Sequence, residues 1–334
     1  MNDSDAVAQA GLGPASTVPE APGRSWRLSG DFLFHQAAVL AAFLAAAALF
    51  ATVIAITIDS WTSIHTFGVW GFLKSSEWNP VTQTFGAFPF IVGTLVSSAI
   101  ALVLAVPLSF GVAVFIAEIA PNWIRKPIAG AIELLAGIPS IVYGMWGLLV
   151  FAPVFANMEP WISNTFGNIP GIGALFQGPP MGIGMLTAGI ILAVMILPYI
   201  SSIMRDVFLI VPSSLRESAY AMGCTTWEVA WHITLPYTRS AVIGGIFLGL
   251  GRALGETMAV TFVIGNSNMI SSSLLMPGAT IPSVLANEFT EATTKLYVSS
   301  LIYLGLVLIA ITLVVRFLAV LLIRRLGRGE GAST

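Results

Sequence analysis

Residues 217–236 read Glu217-Ser218-Ala219-Tyr220-Ala221-Met222-Gly223-Cys224-Thr225-Thr226-Trp227-Glu228-Val229-Ala230-Trp231-His232-Ile233-Thr234-Leu235-Pro236. This charge-bearing, amphipathic stretch lies between two long apolar segments. Ser213-Ser214 offer an N-cap, Leu215 to Met222 a short helix and Gly223 its stop. Thr225-Thr226 offer a second cap, Trp227 to about Ile233 a second helix, and Pro236 its end. Ala219, Met222 and Trp227 predict an apolar ridge edged by Glu217 and Glu228. Such a ridge either lies on lipid or fits a partner's groove.

The surroundings of this loop set the fold class. The chain has 334 residues, 56% hydrophobic and only 9% charged, against about one quarter charged in a soluble domain. That much apolar surface cannot be hidden in a water-soluble core of this size, so a polytopic, all-α membrane protein is expected. The net charge of −2 leaves no basic patch for nucleic acid. The single cysteine, Cys224, excludes a disulfide framework and a cysteine-based metal site. His35, His65 and His232 fall in separate regions, so no metal centre is expected, and no nucleophile–base or paired-carboxylate pattern points to catalysis.

Residues 1–30 are rich in Ala, Pro, Gly and Ser without an apolar period and predict a disordered tail. The run from Leu33 to Ile58 lacks a small-residue cleavage site and reads as an uncleaved first span. Six segments reach spanning length, roughly 34–58, 88–118, 127–155, 182–207, 240–265 and 297–323. Arg24 and Arg27, then Arg125 and Lys126, then Arg205, Arg216 and Arg239, then Arg324, Arg325 and Arg328 fall in alternate connections; the others carry only Lys74 and Lys295. Positive charge marks the cytoplasmic side. Both termini and the loop over 208–238 are therefore expected in the cytoplasm. The opposite connections, about 59–87, 156–181 and 266–296, are expected to face outward. The permease domain then covers 31–326, with a short tail over 327–334.

Charges within the spans stand out. Arg252 lies about twelve residues from Ser240, near mid-bilayer at about 1.5 Å per residue. An arginine there costs about 2.5–3.5 kcal/mol on insertion scales and usually faces a cavity or a partner. Glu256, one helical turn on, is expected on the same face. The two read either as a structural ion pair or as an anion site, with the guanidinium forking onto an oxyanion and the carboxylate easing its release. Gly245/Gly249 and Gly251/Gly255 predict close helix approach. In Gly137-Ile138-Pro139-Ser140, glycine and proline predict a kink. Carbonyls freed near Ser140 then read either as pathway lining or as part of a packing bend.

Taken together, these residues resemble a known family. The spacing E-x-A-x3-G-x9-I-x-L-P is similar to the EAA loop of ABC-importer membrane subunits, with Ser218 where alanine is common. Residues 136–144, Ala-Gly-Ile-Pro-Ser-Ile-Val-Tyr-Gly, and 251–260, Gly-Arg-Ala-Leu-Gly-Glu-Thr-Met-Ala-Val, resemble the C-type membrane subunits of phosphate-specific importers, the PstC family. Glu77-Trp78-Asn79-Pro80, Phe85-Gly86 and Gly93-Thr94 look similar too, so the resemblance covers about 30–325. The Arg-Ala-Leu-Gly-Glu core is also similar to sulfate and molybdate permeases; Thr257-Met258-Ala259 and the context of Tyr143 favour phosphate. The resemblance implies a type I (MetI-like) six-span permease in a bacterial inner membrane. Its implied partners are a related A-type permease in a heterodimer, two cytoplasmic ATPases that bind ATP and Mg, and an external phosphate-binding protein. No P-loop with G-x-x-x-x-G-K-[ST] accompanies Lys74, Lys126 or Lys295, so no cofactor is expected in this chain and the energy is expected from another polypeptide. The resemblance further implies a substrate pathway with Arg252, Glu256, Thr257, Ser140 and Tyr143. It implies ATPase coupling through Glu217, Ser218, Ala219, Met222, Gly223, Trp227 and Pro236. The rival readings are a permease for another oxyanion and a scaffold that relays phosphate status.

Overall fold

A computed structural model describes residues 30–327. The predicted tails lie outside these residues apart from Gly30 and Gly327, as do Arg24, Arg27 and Arg328. The chain divides at Thr52/Val53 into two units. The first contains most of α1 (Gly30–Asp59), an uninterrupted helix of alanine, leucine and other apolar residues. The second holds the remaining elements. These are α2 (Trp61–Phe67), α3 (Val69–Lys74), a two-stranded antiparallel hairpin of β1 (Trp78–Asn79) and β2 (Thr84–Phe85), and α4 (Phe88–Val114). There follow α5 (Asn122–Ala136), α6 (Ser140–Trp146), α7 (Ala152–Phe166), α8 (Met185–Leu209), α9 (Ser213–Ala221) and α10 (Thr226–Val229). Last come α11 (Leu235–Leu254), α12 (Met258–Val263), α13 (Ile281–Glu288) and α14 (Lys295–Gly327).

Among the described residues, six helical stretches are long and apolar enough to cross a membrane: Phe32–Asp59, Phe88–Ile119, Ser140–Phe166, Met185–Leu209, Thr226–Leu254 and Lys295–Arg325. Two differ from the expected ranges. The third span, expected over 127–155, starts only at Ser140, because the chain breaks over Gly137–Pro139 instead of kinking, and α5 stands as a separate amphipathic helix. The fifth, expected over 240–265, runs from Thr226 and stops at Leu254. Its 29 residues are about 43 Å long, more than the roughly 30 Å hydrocarbon core, so its first turns project beyond it.

Helix α8 is the axis of the second unit. Ile191, Leu192, Met195, Ile196, Ile200, Met204 and Phe208 are all buried, on more than one face, as suits a helix surrounded by α4, α5, α11 and α12. Close approach to α11 depends on missing side chains. A Cβ at Gly249 would lie 2.6 Å from the Ile200 side chain, and one at Gly245 2.9 Å from Ile203. The second expected pair behaves differently: nothing lies within 4 Å of a Cβ built at Gly251, and only the carbonyl of Gly251 near one at Gly255.

The α1–α2, β2–α4, α7–α8 and α12–α14 connections lie at one end of the second unit and are more structured than their Trp-, Pro- and Asn-rich sequences suggest. Phe72, Trp78, Phe85, Phe90 and Tyr297 form an aromatic core there, with Phe85 stacked on Tyr297 at 5.2 Å. Glu288 ties it together: its carboxylate accepts from Trp78 Nε1 at 2.6 Å, Tyr297 Oη at 2.7 Å and Asn268 Nδ2 at 3.2 Å. Three donors satisfy a carboxylate in a partly buried setting. Arg125, Lys126, Arg205, Arg216, Arg239, Arg324 and Arg325 lie toward the opposite, basic end.

Candidate functional site

Two breaks in long helices lie at the centre of the fold. At the first, α5 ends at Ala136 and the chain passes through Gly137-Ile138-Pro139; Pro139 lacks an amide hydrogen and α6 restarts at Ser140. The Leu135 carbonyl, whose helical partner would be the missing amide of Pro139, accepts from the Ile138 amide at 3.3 Å and from Tyr143 Oη at 2.9 Å. At the second, α11 ends at Leu254, Gly255 sits near φ −93°, and α12 restarts at Met258. The Glu256 carboxylate turns forward and accepts from the Ala259 amide at 3.2 Å, satisfying an otherwise unbonded donor of the new helix. The restarted helices meet: a Cβ on Gly144 would stand 2.9 Å from Ala259 Cα and 2.8 Å from the Phe262 ring. Glycine is thus required at 144 by contact, whatever its dihedral angles.

The break changes the relation between Arg252 and Glu256. The expected shared face requires continuous helix through both residues, and the helix stops between them. No ion pair joins them among the described residues. The Arg252 guanidinium instead lies over the Tyr199 ring of α8, 5.5 Å from its centroid, a cation–π contact. Its Nε is buried without a hydrogen-bond partner. Thr257 caps nothing with its side chain; its hydroxyl approaches the Gly255 carbonyl at 3.4 Å and its own carbonyl accepts from Thr261 Oγ1 at 2.7 Å. Ser140 is half-buried at the start of α6. Arg252 therefore meets Tyr199, Glu256 and Thr257 form the second break, and Ser140 and Tyr143 belong to the first. Tyr199 is the member that sequence reasoning missed; its only sequence signal is an aromatic ring in an apolar span beside Pro198.

At the basic end, α9 and α10 form the helix–turn–helix. Helix α9 starts at Ser213 behind Pro212, so the two serines occupy its first turn and not the cap. Gly223 has φ +90°. Its amide donates to the Tyr220 carbonyl at 2.9 Å, and Cys224 N donates to Ala219 O at 3.1 Å, closing the helix end. Thr225 caps α10 as expected, in a reciprocal box with Glu228: Thr225 N to Glu228 Oε2 at 2.7 Å and Glu228 N to Thr225 Oγ1 at 3.3 Å. Pro236 does not end this helix. It sits in the first turn of α11, where its missing N–H is tolerated, and a wide turn over Ala230–Thr234 carries the helix straight through.

The expected ridge divides in two. Ala219 is 1% exposed and turned inward, whereas Met222 is 77% and Trp227 63% exposed. Trp227 stacks on Trp231 at 5.6 Å and 13°, so the outward apolar surface is an indole pair on the second helix and an exposed Met222 at the end of the first. Glu217 and Ser218 are exposed on α9, and Ser218 Oγ donates back to the Ser214 carbonyl at 2.7 Å.

The loop is anchored by a residue the sequence did not single out. Glu118, in the wide turn that ends the α4 span, has a side chain only 3% exposed and lies 3.5 Å from Arg216 of α9. It also accepts from Thr234 Oγ1 at 3.0 Å. Arg216 further donates to the Phe208 and Val211 carbonyls at 2.6 and 3.2 Å. Glu118 thus joins the ends of the second, fourth and fifth spans. Breaking a buried pair from one side costs about 3–5 kcal/mol, and Arg216 keeps two carbonyl acceptors. Glu118→Ala is therefore expected to cost about 3 kcal/mol locally. Limited proteolysis should show faster cleavage within 208–238 in the variant, with the spans still inserted.

The described residues bring together no group of three or more metal-ligating side chains. What they define is a bundle of membrane-spanning helices with two central breaks and an amphipathic hairpin at its basic end, the layout of an ABC-importer permease. The same layout is found in a chain of the MetNI methionine ABC transporter in an inward-facing conformation, which is similar at 14% identity and a TM-score of 0.51 over 75% of this chain and 99% of that one. It is also found in a bacterial alginate ABC transporter solved with its alginate-bound periplasmic protein (17%, TM-score 0.59, 86% and 93%). Residues 105–328 match the family described as binding-protein-dependent transport system inner membrane component. Among curated relatives, the phosphate transport system permease protein PstC of Xylella fastidiosa is 59% identical over 78% of this chain and 80% of its own length. Those of Mesorhizobium japonicum (52%; 90% and 92%) and Pasteurella multocida (51%; 90% and 94%) are similar over more of the chain. The chain belongs to the PstC family of ABC-importer permeases and is a multi-pass membrane protein.

Proposed function

We propose that this chain is one half of the translocation pathway of an ATP-driven importer for inorganic phosphate. The observation that carries the anion site is the Arg252 guanidinium: it stacks on Tyr199, has no carboxylate partner among the described residues and sits beside the second helix break. Its face is held by the ring while its nitrogens remain available to an oxyanion, which a guanidinium binds by two parallel bonds. Glu256 stands beyond Gly255 without neutralising Arg252, so its negative charge limits how tightly the anion is held. Ser140, Tyr143 and Thr257 add hydroxyls at the two breaks, where transporters of this architecture place irregular backbone.

The basic end faces the cytoplasm, by the distribution of lysine and arginine. There Met222 and Trp227, flanked by Glu217 and Glu228, enter a groove of an ATPase subunit, while buried Ala219 lets α9 pack on the turn at Ala230–Thr234. A related permease completes the pathway, two ATPases supply ATP and Mg, and a phosphate-binding protein docks at the aromatic outer end. No cofactor is held by this chain. Phosphate, and not another oxyanion, is supported by relatives at 50–59% identity that carry that name.

The test is uptake of radiolabelled phosphate at micromolar concentration by cells with and without the gene, with sulfate and molybdate as competitors. Loss on deletion, restoration by the gene and insensitivity to both competitors are expected. Unchanged phosphate uptake with loss of sulfate or molybdate uptake overturns the substrate. A variant that transports nothing yet still reports phosphate status assigns the chain a signalling task as well.

A further inference from the structure

Arg205, in the last turns of α8, has a side chain only 9% exposed. Two carboxylates meet it. Asp206, its neighbour in sequence, accepts from Nε at 2.9 Å and from Nη2 at 2.6 Å. Glu133, 72 residues away in α5, accepts from Nη2 at 2.9 Å. Both carboxylates face outward, with side chains 59% exposed at Glu133 and 62% at Asp206. Asp206 already balances the buried guanidinium, and does so wherever α5 lies. The second carboxylate is therefore not needed to neutralise a buried charge. What it adds is a joint between two elements.

The joint lies at the first break. Glu133 occupies the last turn of α5, and its carbonyl accepts from the Gly137 amide at 3.2 Å. Two residues on, the Leu135 carbonyl accepts from Tyr143 Oη across the break. Gly144, next to Tyr143, rests against Ala259 of α12. A displacement at Glu133 is thus passed through this turn and the tyrosine to the second break. The other partner is placed as tellingly. Arg205 follows Tyr199 by six residues, about 9 Å along α8 and a third of a turn round it. One helix holds Arg252 on one side, through the Tyr199 ring, and the end of α5 on another.

We infer that Arg205 and Glu133 are positioning residues for the anion pathway: their pair fixes the first break, with Ser140 and Tyr143, relative to Arg252. The inference rests on the pathway reading proposed above. Neither residue is assigned contact with the anion. Glu133 carries the wrong charge, and Arg205 is buried and already engaged by two carboxylates. They act through where they hold α5.

The test is phosphate uptake by whole cells, expressed per assembled complex, with the complex quantified by co-purification. Glu133→Ala removes an exposed side chain and leaves Arg205 paired with Asp206, so the complex is expected in wild-type amount. Maximal uptake per complex should fall about tenfold, as expected when a pathway group is displaced. The apparent KM, set where phosphate is first captured outside, should change by less than about twofold. The charge swap Glu133→Arg with Arg205→Glu rebuilds the pair at the same net charge and should recover about half of the rate or more. The double variant Glu133→Ala with Tyr143→Phe tests the route: both changes act on one break, so the double should be no slower than the slower single. Wild-type uptake per complex in Glu133→Ala overturns the inference. So does a loss of uptake that only follows a loss of complex, which is a fastening role alone, and so does a swap that assembles without recovery. Losses that multiply in the double variant separate Glu133 from the break and overturn the inference even where the swap fails to assemble. A wild-type gene that supports no phosphate uptake overturns the pathway reading itself, whereas normal Glu133→Ala uptake beside an active wild type overturns this inference alone.

Discussion

Arg252→Ala is expected to reduce phosphate uptake to background while the protein still inserts and co-purifies with its partners. Among the described residues Arg252 makes no hydrogen bond or ion pair; its contact is with the face of Tyr199. Removing it therefore takes away a cation–π contact of order 0.5–2 kcal/mol, small against what holds six spans. The loss at the anion is larger in its consequence. Charge-assisted hydrogen bonds contribute about 1.5–3 kcal/mol each, roughly ten- to hundredfold in occupancy per bond, and a guanidinium offers two. Three further variants separate charge from shape. Arg252→Lys keeps the charge but loses the fork, and partial uptake is expected. Tyr199→Phe keeps the ring and should stay close to wild type, whereas Tyr199→Ala frees the guanidinium to move and should lose much of the activity. Glu256→Gln retains an oxygen for the Ala259 amide, so the turn should survive and any change in uptake reports the charge. Normal uptake by a well-expressed Arg252→Ala protein would remove Arg252 from the pathway.

How much of this arrangement was legible in the sequence depends on the length scale. The number of spans and the end at which the loop lies follow from hydropathy and the spacing of Arg and Lys, because transferring apolar segments out of water dominates every other term. Thr225 and Glu228 announce their capping box locally, three residues apart. Breaks are harder to place. Gly137 and Pro139 predict a bend, but whether a helix bends or stops depends on what takes up the carbonyls near the break, here the Ile138 amide and Tyr143 Oη on Leu135. At Gly255 the sequence reads as continuous apolar helix with a glutamate one turn after an arginine. The spacing rule for facing side chains presumes the helix, and the helix is the part that fails. Glu118 and Tyr199 were invisible for a further reason. Each acts through residues far away in the chain, 98 and 116 positions for the Glu118 contacts with Arg216 and Thr234, and no local pattern encodes such a meeting. Ala219 shows the converse error: a small apolar residue on an amphipathic helix was assigned to the outer ridge, while its size suits it to the inner contact.

Gly223→Arg is expected to abolish both uptake and co-purification of the ATPase, and the geometry shows which feature of the substitution matters. At φ +90° the backbone lies where L-residues are strained, by about 1–2 kcal/mol in the left-handed region, yet nothing lies within 4 Å of a Cβ built there. A new side chain thus meets no clash inside this chain. Its effects are two: strain that reorients α10 relative to α9, and bulk on the surface that carries Met222 and Trp227. Gly223→Ala adds strain with almost no bulk, Gly223→Val adds both strain and bulk, and Gly223→Asn adds bulk with less strain, since asparagine enters positive φ more readily. If the angle between α9 and α10 aligns Trp227 with Glu217 for docking, Ala and Val should impair ATPase co-purification more than Asn does. If the groove simply needs room at this point, Asn should be as damaging as Val and Ala should be mild. In both cases the spans remain folded, because Arg216 of the Glu118–Arg216–Thr234 junction that anchors the hairpin lies in the first part of α9, seven residues before the glycine turn, and unchanged monomer stability in detergent is the expected control. Unaltered ATPase co-purification and transport in Gly223→Arg would show that this hairpin is not the coupling element, and the search would move to the remaining exposed segments of the basic end, such as Trp123 and the first turn of α5.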